Sequence, residues 1–262
     1  MVECMKLLLT GNKGFIGQNM YKALLKQGHQ LSLFDIADNS DLRPKDLNIA
    51  GLDWVIHLGA NSSTTETNIQ KLMDQNLSWS IELLEECDKH KVNIQFASSA
   101  SVYGKRNKAQ GVFQTTDPCR PANTYAMSKY LFEQYVTAKP SLKIRVQCFR
   151  YFNVYGSHEE HKGTQASPYT QFAKQAKETG VIKVFEGSEN FLRDFIHVDK
   201  LIELQLKYMQ SSKTGIFNMG TGTTRSFMDV ARDVALLYNA KLEIVAFPEH
   251  LKLHYQTYTC AG

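Results

Sequence analysis

The sequence predicts an α/β protein built on a doubly wound parallel sheet, and three observations carry that expectation. Short apolar runs recur along the chain, segments with helical apolar spacing separate them, and a glycine-rich turn joins the first run to the first such segment. The runs cover residues 7–9, 31–34, 54–58, 94–97 and 144–149. Each is bounded by Gly, Asp or Asn and is expected to be a strand buried on both faces. Helical spacing covers 15–26, 69–90 and 125–138, so strand alternates with helix through residues 1–156. Beyond that the pattern loosens. Residues 156–167 are polar and turn-like. A helix is expected near 169–178, strands near 182–185 and 191–196, a helix near 198–210, a strand at 216–219 and a helix at 227–238. Residues 157–262 are therefore read mainly as a small interleaved C-terminal lobe, with about 191–225 returning to the sheet.

Composition removes several function classes. With 43% hydrophobic and 21% charged residues, the 262-residue chain has the make-up of a folded protein, which excludes disorder as its main theme. The net charge of +4 is spread among interspersed Lys, Arg, Asp and Glu, so no basic stripe marks a nucleic-acid groove. Five cysteines (Cys4, Cys87, Cys119, Cys148, Cys260) lie far apart without a CxxC pair, the pattern of free thiols in a reducing compartment rather than of a zinc site or a disulfide framework. No apolar run approaches the roughly 18 residues that span a bilayer. Glu3 and Lys6 precede a leucine run too short for a signal peptide, so the expected location is the cytoplasm, without membrane attachment.

The first apolar run leads directly into Thr10, Gly11, Asn12, Lys13, Gly14, Phe15, Ile16 and Gly17. Glycines at this spacing let the backbone turn tightly against a pyrophosphate, while the free N–H groups and dipole of the helix start stabilise negative charge. Asp35 ends the second strand 18 residues after Gly17, where a carboxylate can accept hydrogen bonds from an adenosine ribose. The combination points to a dinucleotide bound by residues 1–156. Asp35 favours NAD, whereas Arg43 and Lys45 in the following loop offer partners for a 2′-phosphate; both cofactors stay open on these residues. His57, Leu58, Gly59, Ala60 and Asn61 after the third strand, with Asn76 on the next helix, are placed to line the cofactor's other side.

Tyr125 and Lys129 stand at i and i+4 of one helix. A phenol titrates near 10, and a neighbouring cation favours its anion, so the pair can act as a general base. Ser99, in the segment Ser98-Ser99-Ala100-Ser101-Val102-Tyr103-Gly104 at the end of the fourth strand, is expected to reach a substrate hydroxyl or carbonyl beside Tyr125. In open α/β sheets ligands bind beyond the carboxyl ends of the strands, where these elements converge.

Together these motifs resemble the extended short-chain dehydrogenase/reductase superfamily of nucleotide-sugar epimerases and dehydratases, and imply a Rossmann-type sheet. Four later segments, Phe149 to Gly156, His161-Lys162-Gly163, Phe185 to Phe191 and Arg193-Asp194-Phe195, resemble the ADP-L-glycero-D-manno-heptose 6-epimerase family. That resemblance implies oxidation of the heptose at C6 by a tightly held NADP (NAD being admissible), a 6-keto intermediate that turns over, and re-reduction on its other face. It implies Ser99, Tyr125, Lys129 and Lys162 as catalytic, with Tyr125 and Lys162 as the two acid/bases. Lys162 has a physical rationale, since a lysine desolvated in a cleft gives up its proton more readily. The implied cofactor contacts are Gly11, Gly14, Phe15, Ile16, Gly17, Asp35, Ile36, Leu58, Gly59, Ala60, Asn61, Asn76, Val154, Tyr125, Lys129 and Lys162. The implied contacts to a nucleotide-diphosphate sugar are Ser99, Asn153, Thr164, Gln171, Phe185, Glu186, Gly187, Ser188, Arg193 and Tyr255. Arg193 suits a diphosphate because its planar fork donates parallel hydrogen bonds. A homo-oligomer, no metal, and a role in lipopolysaccharide core or another heptose-bearing glycan complete the implication.

The sequence departs from the family pattern in places. The loop 36–45 is short, Gln171 stands where a histidine is expected, and Leu253-His254 replaces a Gly-Arg pair before Tyr255. The similarity reaches Tyr255 to Thr259, and the family is expected to continue by ~30 residues, about one strand-and-helix unit. Rival readings follow from the same motifs. A dehydratase needs an acid pair directly after the active-site Ser, where this chain has Ala100 and Ser101. A C4 epimerase needs only Ser99, Tyr125 and Lys129, and Lys162 with the Phe185 to Phe191 segment argues against it. A shortened, non-catalytic dinucleotide-binding protein is the rival from another class. His197 reads as a packed strand-end histidine, and Tyr151, Phe152 and Tyr155 as core.

Overall fold

In the computed structural model, which describes residues 3–38, 41–63, 66–106, 108–249 and 256–262, the first half of the chain follows the alternating pattern. Its elements are β1 (Lys6–Thr10), α1 (Phe15–Lys26), β2 (Gln30–Phe34), β3 (Trp54–His57), α2 (Ile69–Met73), α3 (Trp79–His90), β4 (Asn93–Ser99), α4 (Thr124–Thr137) and β5 (Val146–Tyr151). There follow β6 (Asn153–Tyr155), α5 (Pro168–Thr179), β7 (Val181–Phe185), β8 (Leu192–His197), α6 (Val198–Met209), β9 (Gly215–Met219), β10 (Thr224–Ser226), α7 (Phe227–Tyr238) and β11 (Lys241–Val245).

The chain divides into two units. The first comprises Met1–Gly104, Cys119–Tyr151 and Ile202–Phe217. It holds a six-stranded parallel sheet in the order β2-β1-β3-β4-β5-β9, a Rossmann-like doubly wound arrangement. The strands of its middle are buried on both faces because helices cover both: β3 and β5 are buried along their whole length. Leu8, Val55, Ile94, Phe96, Val146 and Cys148 meet Trp79, Leu83, Leu84 and Phe132 in one core. β1 is flanked by β2 on one side and β3 on the other, so Thr10 is in register with both Phe34 and His57. Such a reversal of strand order opens a crevice at the carboxyl ends of the strands.

The second unit comprises Lys105–Pro118, Phe152–Leu201 and Asn218–Gly262. In it β8 pairs antiparallel with β10 and parallel with β6, and β7 pairs parallel with β11. Phe172, Ile182, Val184, Phe195, Val230 and Val234 form its core. α7 starts on a capping box between Ser226 and Asp229, and α5 on Ser167 followed by Pro168.

Three expectations are corrected. The strand at 31–34 is not buried on both faces: β2 is the sheet edge, and Leu33 is 44% exposed, because the described residues between Phe34 and Trp54 form a short 3-10 turn and no further strand. The single helix over 69–90 is interrupted, with a π turn at Asp74–Ser78 between α2 and α3 that turns Asn76 fully inward. The strand expected from 144 begins at Val146, the first residue in register with β4, opposite Ile94. Strands β6, β10 and β11 were not anticipated; the first two are three residues long and carry no readable alternation.

Candidate active site

The glycine turn is shaped for close backbone approach. Gly11 has φ +73°, and a Cβ there would lie 2.5 Å from the Gly59 nitrogen; a Cβ on Gly17 would lie 1.9 Å from the Gly11 carbonyl oxygen. Neither position admits another residue without moving backbone. The N-cap of α1 is Gly14, so no side chain caps the helix and its first turn carries no acid, leaving its N–H groups for a ligand. Asn12 Oδ1 is the one buried side-chain polar atom without a partner among the described residues.

Beside this turn the first unit encloses a cavity of about 380 Å³. Gly11, Gly14, Asp35, Ile36, Leu58, Gly59, Ala60 and Asn61 line it as the sequence predicts; Thr10, Lys13, Phe34, His57, Lys71, Gln75 and Trp79 line it as well. Trp79 is stacked on Phe34 with ring centres 5.3 Å apart, a contact between α3 and β2 that no local spacing announces. Phe15 is buried in the first turn of α1, while Asn76 is not on the wall but behind it, bonded to Asn61. The Asp35 carboxylate accepts the backbone N–H groups of Lys13 and Ala37, each at 3.0 Å, which ties the strand end to the glycine turn. Lys13 pairs with Asp38. Arg43 is turned away: its guanidinium donates to Glu82 (3.0 Å from Nε) and to Asp74 (3.1 Å).

In the same unit, Asn123 caps α4 by accepting the Ala126 N–H, and the helix presents Tyr125 and Lys129 one turn apart. Lys129 is 2% exposed, its ammonium 4.6 Å from the Phe96 ring centre and 5.9 Å from that of Tyr125. Desolvation pushes Lys129 down to about 7 and pushes the Tyr125 phenol up, the latter opposed by a hydrogen bond with Ser99. Ser99 Oγ accepts from the Ser101 hydroxyl at 2.9 Å and the Ser101 N–H at 3.2 Å, so its own proton is left for Tyr125 or a ligand. Burial of the lysine thus brings the pair closer to its neutral form.

Apart from Ile16 on α1, the remaining predicted residues belong to the second unit. Lys162 lies in 3-10 turns over Glu160–Gln165, kinked at Gly163, with its ammonium 3.9 Å from the buried Glu159 carboxylate. Gln171 donates to the carbonyls of Thr164 and Ala166 at 3.1 and 2.6 Å. Asn153 donates to the Asp194 carbonyl and Thr259, and Val154 is half-buried on β6. Arg193 donates to the carbonyls of Leu192 and Gln256, with Phe227 under its guanidinium. Ser188 is buried, and Glu186 and Gly187 line a second cavity of about 400 Å³ with Phe191, Ala246, Phe247, Glu249 and Thr257. The Phe247 ring meets Phe185 and Phe191 edge-on at 5.4 and 5.3 Å. Tyr255, with Leu253 and His254, lies outside the described residues. Asp194 is an anchor that the sequence did not reveal: its carboxylate accepts from Thr221, Gly222 and Ala261.

Residues 7–220 match the sequence model of the NAD dependent epimerase/dehydratase family. The chain belongs to that family. This epimerase/dehydratase is similar in structure to the UDP-N-acetylglucosamine 4-epimerase of Methanobrevibacter ruminantium in complex with UDP-N-acetylmuramic acid (TM-score 0.87, 19% identity, covering 100% of this chain and 90% of that one). It is similar to the Helicobacter pylori ADP-L-glycero-D-manno-heptose-6-epimerase (0.83, 26%, 99% and 88%) and to the Thermus thermophilus UDP-glucose 4-epimerase in complex with NAD (0.81, 23%, 98% and 90%). The family's cofactor fits the glycine cradle, the uncapped helix start and the adjoining cavity. No helix among the described residues of the epimerase/dehydratase is long and apolar enough to cross a membrane.

Proposed function

We infer that this protein epimerises a nucleotide-diphosphate sugar by transient oxidation, with NAD as its resident cofactor. The observation that carries the reading is the Ser99–Tyr125–Lys129 constellation, in which a phenol bonded to a serine hydroxyl has a buried lysine one turn below it. When bound, NAD supplies reversible hydride acceptance from the sugar carbon. The chain's own residues handle the proton. Ser99 donates to the sugar oxygen, and Tyr125 Oη, as the phenolate that the Lys129 ammonium stabilises, takes the hydroxyl proton and becomes the neutral phenol. No carboxyl group follows Ser99: Ala100 and Ser101 stand there, and Ser101 is bonded back to Ser99, which supports epimerisation over loss of water.

Inversion at C6 of an ADP-glycero-manno-heptose is the specific reaction proposed, with Lys162 as acid/base on the opposite face, on the strength of the His161-Lys162-Gly163 and Phe185 to Phe191 segments. NAD rather than NADP follows from the charges around Asp35: Asp38 stands nearby on Lys13, and Arg43 is committed to Glu82 and Asp74. The test is to identify the nucleotide released from the purified protein, then follow ADP-D-glycero-D-manno-heptose, UDP-glucose and UDP-N-acetylglucosamine separately by proton NMR. Release of NAD and conversion of the heptose alone are expected. Conversion of a UDP-sugar instead would replace the C6 reading by C4 epimerisation, and no conversion at all would overturn the enzymatic one. Tyr125→Phe should lower turnover by roughly 10²–10⁴-fold with cofactor retained, and Lys162→Ala should abolish epimerisation.

A further inference from the structure

Along and behind the cavity wall runs a chain of buried polar groups, with Thr10 and His57 in the wall and Ser80 and Asn76 behind it. Ser80 fixes its direction. The Ser80 hydroxyl lies 2.6 Å from the Asn76 carbonyl, and a carbonyl only accepts, so the serine proton is committed there. Ser80 Oγ, 2.9 Å from His57 Nε2, must then accept from that nitrogen. His57 is 2% exposed, and burial pushes its imidazole down to about 3, so the ring is neutral and Nδ1 is bare. Thr10 Oγ1, 2.6 Å from Nδ1, is left to donate, and its remaining lone pairs take the Gly59 N–H at 3.3 Å. Every hydrogen bond from Gly59 to Asn76 therefore points the same way.

The Asn76 side chain extends the chain in two directions. Held inward by the π turn, it accepts the Asn61 N–H at 2.7 Å and donates to the Asn61 carbonyl at 2.9 Å. It also donates to Ser128 Oγ at 3.2 Å, and Ser128 donates to the Tyr125 carbonyl at 2.7 Å. One network thus pins the cavity-wall segment at Gly59 and again at Asn61, and ends on the turn of α4 that carries Tyr125 and Lys129. The segment stands against Gly11 so closely that a Cβ on Gly11 would collide with Gly59, so a shift of a few tenths of an ångström changes the width of the cleft.

We propose that Thr10, His57, Ser80 and Asn76 form a positioning chain that couples the setting of the dinucleotide-binding segment at Gly59–Asn61 to that of the helix bearing Tyr125 and Lys129. The proposal rests on the dinucleotide reading of the cavity. No proton moves along the chain; its members orient, and none touches a reacting atom.

Two measurements test it. Nitrogen-15 NMR of His57 in nucleotide-free protein should find Nε2 protonated and Nδ1 bare, unchanged from pH 8 to pH 5. Calorimetric titration with NAD should find affinity lowered about tenfold in Thr10→Val, in Asn76→Ala and in His57→Phe, the loss of roughly one to two buried hydrogen bonds. His57→Gln, whose amide both accepts and donates, should stay within threefold of wild type. Thr10 and Asn76 share no hydrogen bond, so independent residues would lose about a hundredfold together. A single chain is already broken by either, and the double variant should fall within threefold of the worse single one. Where Asn76→Ala fails to fold, Asn76→Asp removes the Nδ2 donors and takes its place. Multiplicative losses, or a proton on Nδ1, overturn the chain alone. A wild-type protein that binds no NAD overturns the dinucleotide reading and the proposal with it.

Discussion

Glu133 lies one turn beyond Lys129 on α4, fully buried, with its carboxylate accepting from Arg150 Nη2 at 2.6 Å, Arg150 Nε at 3.0 Å and the Ser98 hydroxyl at 2.6 Å. Arg150 is 2% exposed and lies 4.6 Å from the centre of the Tyr103 ring. Removing either charge leaves the other in a low-dielectric interior, so Glu133→Leu should destabilise by about 3–5 kcal/mol, whereas Glu133→Leu with Arg150→Met should recover most of that. Urea unfolding of both variants measures it, and a single-variant loss under ~1 kcal/mol would mean that water reaches the pair. This pair also marks what was legible at the scale of single residues. Gly11, Gly17, Asp35, Ser99, Tyr125 and Lys129 announce themselves by spacing along the chain. Glu133 with Arg150, and His57 with Thr10 and Ser80, are joined only when separate strands and helices come together, and no local pattern encodes that.

At the scale of elements, the sequence reads best where apolar periodicity is unbroken. The buried strands β1, β3, β4 and β5 and the helices α1, α4 and α7 lie within about two residues of expectation. The π turn at Asp74–Ser78 has no signature in the sequence, because the apolar spacing continues through Met73, Leu77 and Leu84 and a one-residue slip in phase is invisible to it. β2 departs from expectation because an apolar run does not say which strands become edges. Two side chains tie the turn-like region 156–167 to the start of α5: Gln171 donates to the Thr164 and Ala166 carbonyls, and Glu159, 1% exposed, accepts from the Ser167 N–H (2.7 Å), the Ser167 hydroxyl (2.6 Å) and the Thr170 hydroxyl (2.8 Å). The same carboxylate faces Lys162. Glu159→Ala should therefore destabilise by about 1–3 kcal/mol and raise hydrogen exchange selectively over Glu160–Gln165, with KM for the sugar rising more than kcat falls. Uniform exchange across the second unit would show that Glu159 acts on the whole fold instead.

For the molecule as a whole, the buried ionisable groups set how stability follows pH. His57 titrates near 6.5 when unfolded and about 3 when folded, so only the unfolded chain takes a proton as pH drops below 6.5, and stability falls from there toward pH 3. Lys129 is depressed from 10.5 to about 7, so between those values the unfolded chain again holds more protons and stability rises with pH. Cys87 and Cys148 act in the other direction. Burial raises both thiols above their ordinary 9.0, so above that value the unfolded chain loses protons that the folded chain keeps, and stability declines. Nucleotide-free protein should accordingly be most stable near pH 9, with a rise from pH 7 of up to about 1.4 kcal/mol per pH unit attributable to Lys129. Unfolding in urea at pH 7, 8 and 9 should show that rise in wild type and a flatter profile in Lys129→Met. His57→Gln should instead flatten the loss between pH 6.5 and pH 4 and leave the alkaline side alone. Parallel profiles for wild type and Lys129→Met would place the Lys129 ammonium in contact with water. It would then no longer be a desolvated cation beneath Tyr125, and the means by which this fold makes a phenol into a base would have to be sought elsewhere.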